Sequence, residues 1–230
     1  IDVSLVGSEM CIRDRPWGTP AKLLGSETPN LTARSRPASA QTGKLPHIIH
    51  IIADDLGWHD VGFHGSDIRT PNLDALADQS IVLDRFYVTP ICSPTRAGLL
   101  TGRYPFRYGI WSGVVSPRKR HGLPPSEMTT PEYLARAGYE RRAIFGKWHL
   151  GLASTCFHPL NHGFNYFYGH YNGAIDYFSH ERFGEVDWHR NEKTLDEPGY
   201  STDLVAKEAA SFILRHEGEQ PFYMVVAFNA

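Results

Sequence analysis

The run His47 to Ala53 (HIIHIIA), closed by Pro46 on one side and by Asp54-Asp55 on the other, limits the possible folds more than any other feature. It is short, rich in isoleucine and abruptly bounded, so it reads as a fully buried strand. The residues after it supply helices to cover such a strand. Leu73, Leu76 and Ala77 fall at helical spacing behind Pro71, which predicts a helix over 71–80, and Ile81 to Val88 then reads as a second strand. Ser93-Pro94 is expected to cap a helix running to about Thr101, with Gly102 at its end. Thr130-Pro131-Glu132 opens a third helix that stops near Gly138, and Ala143 to Phe145 is a strand. Thr202-Asp203 opens a longer helix with the apolar stripe Val205, Ala209, Phe212 and Ile213, and Pro221 leads into the strand Phe222 to Phe228. Short buried strands alternating with amphipathic helices predict an α/β fold around a mainly parallel or mixed sheet.

Residues 1 to 44 differ from the rest. Leu23 to Gly43 is rich in Ser, Thr, Pro, Ala and Gly without any period, and reads as an unstructured leader. Ser4 to Arg15 (SLVGSEMCIRDR) reads as a cloning or assembly scar, and the triplet Asn30-Leu31-Thr32 fits a glycosylation acceptor only in the way that common triplets do. The expected organisation is therefore a leader over 1–44 and one catalytic domain over 45–230. The chain starts with Ile1 rather than Met, so its true start is expected to lie upstream.

Of 230 residues, 41% are hydrophobic, which is enough for one sizeable core. A formal charge of −2 gives no global attraction for nucleic acid. The longest apolar runs fall far short of a membrane-spanning helix. Three cysteines, Cys11, Cys92 and Cys156, without CxxC spacing, argue against a disulfide framework or a structural zinc site.

Three strings carry chemistry. Asp54 and Asp55 sit at the carboxyl end of the first strand, where open α/β sheets gather ligands, and two adjacent carboxylates suit a hard divalent cation. In isolation the pair reads more readily as solvated acids capping a strand. Cys92-Ser93-Pro94-Thr95-Arg96, continuing to Thr101-Gly102-Arg103, places a small nucleophile at a helix N-terminus with a cation one turn on. Gly146-Lys147-Trp148-His149 places a lysine and a histidine two residues apart after a strand, where both could reach one anion, although this string alone reads more readily as a surface lysine and a partly buried histidine.

The twelve residues from Cys92 to Arg103 resemble the signature of the sulfatase family, C-x-P-[ST]-R followed by TGR. Gly138-Tyr139 and Gly146-Lys147-Trp148-His149 resemble its second signature, with one residue more between the two halves than the family pattern and with Arg141 where a Ser or Thr is usual. Asp54-Asp55-Leu56-Gly57-Trp58, Arg69 to Asp74 and Tyr177 to Glu181 are similar to parts of arylsulfatase B-type chains, so the resemblance covers residues 46 to 230. It implies the N-terminal part of an alkaline phosphatase-like fold, a large mixed sheet flanked by helices.

The resemblance also implies a sulfuric ester hydrolase. Cys92 would be oxidised to formylglycine by a formylglycine-generating enzyme, and the hydrated aldehyde would attack sulfur. Asp54 and Asp55, with the modified Cys92, would ligate one calcium ion. Arg96 and Lys147 would hold the aldehyde hydrate and the sulfate oxygens, and His149 would hydrogen-bond the hydrate. A further histidine, an Asp-Asn metal pair and a sulfate-binding lysine belong to the family's later positions, so the polypeptide as given is expected to be inactive. The expected substrate is a sulfated small molecule or glycan, and the expected location is the secretory pathway, lysosomal or extracellular. A phosphonate or phosphate ester hydrolase of the same superfamily and a non-catalytic sulfatase-derived binding protein stay open. The histidines at 158, 162, 170, 180 and 189 read as loop or core residues with satisfied hydrogen bonds.

Overall fold

The computed structural model describes residues 44–117 and 119–229. The expected leader, the scar-like stretch and the Asn30 triplet lie outside them, Lys44 apart. The elements in chain order are β1 (Ile48–Ala53), α1 (Pro71–Ala77), α2 (Cys92–Thr101), α3 (Thr130–Arg136), β2 (Arg141–Lys147), β3 (Tyr166–His170), β4 (Glu181–Arg182), β5 (Glu185–Val186), β6 (His189–Arg190), β7 (Lys193–Thr194), α4 (Ser201–Leu214) and β8 (Phe222–Phe228).

Six strands form one mixed sheet in the order β1-β8-β2-β3-β6-β7, and β4 pairs with β5 in a separate hairpin. β1, β8, β2 and β3 run parallel, whereas β6 and β7 add an antiparallel margin. Alternation along the strands divides the core into two layers. Ile144, Phe167, Tyr223, Val225 and Ala227 pack with Ala97 and Leu100 of α2 on one face. Ala143, Phe145, Tyr168, Met224 and Val226 pack with Val205, Ala209 and Phe212 of α4 on the other. Full burial of side chains such as Phe145 and Phe167 contributes about 1.5–3 kcal/mol each. The α/β class, with a mixed sheet between helices, is as expected.

Four local expectations are corrected. β1 is not buried on both faces: it is an edge strand, with Ile48 and Ile52 packed on the first core layer and Ile49 and Ile51 exposed on the other. Their ladder partners Met224 and Val226 are covered by α4, which does not reach as far as β1. Ile81 to Val88 has strand-like composition but no ladder partner among the described residues, and it runs exposed and irregular. Composition alone cannot make a strand without a neighbour to pair with. The first helix ends at Ala77 and buries none of its residues. In α4, Ile213 points outward, so the buried stripe is Val205, Ala209 and Phe212.

The longer spacing before Gly146 does not disturb the sheet. Arg141 to Gly146 pairs with Phe222 to Ala227 without interruption. Arg141 lies over the Phe212 ring, 4.3 Å from its centroid, and contacts His216 Nδ1 at 2.9 Å. Among the described residues no helix is long and apolar enough to cross a membrane.

Candidate active site

The parallel strands deliver their carboxyl ends to one rim of the sheet. Asp54 and Asp55 follow β1 there, Lys147 is the last residue of β2, and His149 stands two residues beyond. At Gly146 the strands pinch: φ is +91°, and a Cβ would stand 2.0 Å from the Ala227 carbonyl oxygen. Only glycine lets β8 and β2 close at this point and turn Lys147 into the rim.

α2 begins at Cys92 itself, with Ile91 as the N-cap residue. Ser93 is therefore not the cap. Its hydroxyl instead donates to the His149 carbonyl at 2.8 Å and accepts from the Val115 N–H at 3.0 Å. The expected helix N-terminus is present, but the serine ties it to the strand-end segment rather than to its own backbone. As a result Cys92 Sγ lies 3.1 Å from His149 Nδ1.

Arg96, one turn along α2, is 5% exposed at its side chain. It donates to the Lys147 carbonyl at 2.5 Å and to Asp54 Oδ1 at 3.2 Å. Its Nε is buried and has no hydrogen-bond partner among the described residues. Lys147, 3% exposed at its side chain, pairs with Asp54 Oδ2. Asp54, Cys92, Arg96, Lys147 and His149 thus meet at one place, while the Asp55 carboxylate stands exposed beside them. Asp55 and His149 both hold φ of +57°, a left-handed conformation that costs free energy for any residue with a Cβ.

The electrostatics follow from burial and from the two cations. Burial acts to raise the Asp54 carboxyl pKa, but the Lys147 hydrogen bond and the Arg96 and Lys147 charges prevail and hold it below the ordinary carboxylate range. Burial, reinforced by the Lys147 and Arg96 charges, pushes His149 down to about 3, so its imidazole is neutral near pH 7.

His149 is held from behind by residues that carry no sequence signal of their own. Its N–H donates to the Tyr171 carbonyl at 3.1 Å, and the Trp148 N–H donates to the His170 carbonyl at 2.9 Å. The segment 171–172 is fixed by Asp187, whose buried carboxylate accepts from the backbone N–H groups of Tyr171 and Asn172, the Asn172 side chain and His189 Nε2 at 2.7–2.9 Å. These contacts outweigh the effect of burial and keep Asp187 ionised, with a pKa lowered to about 2. Gly173 lies against the His149 imidazole, where a Cβ would come within 2.3 Å of the ring. His158, His170, His180 and His189 each make a ring hydrogen bond within this framework.

Asp54 and Asp55 are hard oxygen donors of the kind calcium takes, and both Asp54 oxygens are here engaged by Arg96 and Lys147. Calcium takes six to eight oxygens, and among the described residues no three His, Cys, Asp or Glu side chains are placed to hold a metal ion together. Cys92 and Cys156 are free thiols.

Known proteins share this arrangement of sequence and fold. The chain is 33% identical over 222 residues to arylsulfatase J of Mus musculus, covering 93% of this chain and 37% of that protein. It is 35% identical over 206 residues to N-acetylgalactosamine-6-sulfatase of Homo sapiens, covering 80% and 39%. Among solved structures, Ps i-CgsB in complex with k-i-k-neocarrahexaose superimposes with a TM-score of 0.74 at 34% identity, covering 82% of this chain and 45% of that one. BT4656 in complex with its substrate D-glucosamine-2-N,6-O-disulfate gives a TM-score of 0.63 at 27% identity, covering 81% and 35%. The chain spans about two-fifths of the length of the curated relatives it matches. The Sulfatase family pattern matches residues 46–230, and with that extent of agreement the chain belongs to the sulfatase family.

Proposed function

We propose that this protein hydrolyses sulfate esters of carbohydrates, with the nucleophile made from Cys92. The observation that carries the reading is the convergence of two buried cations, Arg96 and Lys147, on the pocket where Cys92 meets His149 at the start of α2. Displacement at the sulfur of a sulfate ester passes through a trigonal-bipyramidal transition state with negative charge on the sulfate oxygens, and fixed positive charge in a water-poor site stabilises it. The carbohydrate preference draws on the similar structures solved in complex with a neocarrahexaose and a disulfated glucosamine. Passage through the secretory pathway belongs to the same proposal and draws on family membership alone.

On this reading a formylglycine-generating enzyme converts Cys92, the hydrate of that aldehyde would supply the attacking oxygen, and Asp54 and Asp55 would hold a calcium ion that would supply Lewis acidity. Arg96 and Lys147 bind the sulfate oxygens and neutralise the charge that develops on them. His149, neutral because of burial and the neighbouring cations, exchanges a proton at its Nδ1 with the group on residue 92. Ser93 and the Tyr171 carbonyl fix the His149 backbone, so the imidazole is held in place before substrate arrives.

The test is turnover of 4-nitrophenyl sulfate and 4-nitrophenyl phosphate by the natural gene product. Sulfate turnover is expected to dominate and to fall by roughly 10⁴-fold or more in Cys92→Ala. Preference for the phosphate ester, or full activity in Cys92→Ala, would overturn the reading.

A further inference from the structure

From Arg85 to Ser126 the chain has no Asp or Glu, although the whole sequence carries 25 acids against 23 basic residues. Within that stretch Arg85, Arg96 and Arg103 have acidic partners in Asp84, Asp54 and Glu127. The densest described part, Lys119-Arg120-His121, lies in a loop, after Ser116 and Pro117 and before the buried Gly122 and Leu123. Lys119, Arg120 and His121 are exposed, and neither Lys119 nor Arg120 makes an ion pair among the described residues.

Both feet of this loop stand on the candidate active site. At one end the Val115 N–H donates to Ser93 Oγ, next to Cys92. At the other end the Leu123 N–H donates to the Leu150 carbonyl at 2.7 Å, next to His149. Val115 and Leu123 are buried, and a Cβ on Gly122 would meet the Leu150 carbonyl oxygen at 2.5 Å and the Phe157 ring at 2.6 Å. The loop is therefore seated closely at its base, and it arches between the feet through a turn closed by Lys119 N–H to the Ser116 carbonyl at 2.9 Å. Eight peptide links reach at most about 14 Å out and back, so the backbone of Lys119 and Arg120 stays within about that distance of the two feet.

We propose that the loop 116–122 is a cationic lip that binds a second acidic group of the substrate, so that the enzyme selects saccharides carrying a further sulfate beside the one it removes. This deepens the sulfatase reading and rests on it. A basic run on a remote surface would be a solvated face. Here the two anchors tie the base of the loop to Ser93 and Leu150, next to Cys92 and His149, and the stretch from Arg85 to Ser126 carries no acid of its own. Unpaired exposed cations attract over about one Debye length, roughly 8 Å at physiological ionic strength, so the selectivity should be salt-sensitive.

The test uses the natural gene product and its K119E/R120E variant. For the variant, the ratio of kcat/KM on a disulfated against a monosulfated sugar is expected to fall about tenfold, with most of the change in KM. In parallel, titration with sulfated dextran oligosaccharide should show about tenfold weaker binding and a flatter dependence on salt. An unchanged ratio and unchanged affinity would overturn the lip. So would a single-stranded oligonucleotide binding the unsubstituted protein as tightly as the sulfated oligosaccharide, since that would mark indiscriminate polyanion binding. The titration needs no turnover. A protein that binds the sulfated oligosaccharide through Lys119 and Arg120 yet hydrolyses no sulfate would refute the hydrolase reading and retain the lip.

Discussion

The central strands β8, β2 and β3 and the edge region from β1 to residue 90 are built from similar apolar residues and fare very differently. Phe145 and Phe167 are fully buried, whereas Ile51 is 61% exposed, Ile81 89% and Tyr87 85%. The central strands lie between α2 on one face and α4 on the other; β1 has one covered face, and α1 buries nothing. The candidate site straddles the seam. Cys92, Arg96, Lys147 and His149 come from the covered side, and Asp54 and Asp55 come from the exposed one. The cations are thus rigidly placed, while the proposed metal-binding carboxylates sit on the part of the fold with least support.

Equivalent changes on the two sides should give unequal results. The largest effect is expected for Gly146→Ala, whose Cβ would collide with the Ala227 carbonyl oxygen at a φ of +91°. A loss of roughly 4 kcal/mol or more, or no soluble protein, should appear in chemical denaturation. Asp187→Ala comes next, at roughly 3 kcal/mol, because it leaves the Tyr171 and Asn172 N–H groups and the His189 ring without their acceptor. The same residue predicts a pH dependence. Its folded pKa of about 2 lies below the ordinary 3.8, so its stabilisation is complete above about pH 4 and is lost as pH falls towards 2. Asp187→Asn should flatten that part of the stability–pH curve.

Gly173→Ala should act on activity more than on stability. Its methyl group would push the His149 ring from Cys92, lowering kcat by about 10²-fold with a small change in melting temperature. Ile51→Ser should shift stability by no more than about 0.5 kcal/mol, because the side chain is already largely in water. A loss of several kcal/mol at Ile51 would show that the β1 face is covered in solution, and the contrast between the two regions would fail.

What could be read from sequence follows the same divide between local and tertiary causes. Asp54-Asp55, Cys92 to Arg103 and Gly146 to His149 are contiguous strings, so their chemistry is visible without the fold. The strand Phe222 to Phe228 was equally plain, because an apolar run after proline is a local signal. β3 was missed: Tyr166 to His170 mixes aromatics with Gly169 and a histidine, and it is a strand only because β2 lies alongside. The two-residue strands β4 to β7 are too short to show any period. Ser93 looked like a helix cap, but its hydroxyl is used by His149 and Val115, residues 56 and 22 positions away. Asp187 and Gly173 left no trace in sequence, since their importance lies wholly in what they touch.

The central claim is that Cys92 is a precursor rather than a thiol. Mass spectrometry of the peptide containing Cys92, from the natural gene expressed in its own host, tests it most directly. Conversion to the aldehyde predicts a mass about 18 Da below that of the unmodified peptide. A fully intact thiol, in a host that modifies its other sulfatases, would contradict the account and leave a sulfatase-family fold without sulfatase chemistry.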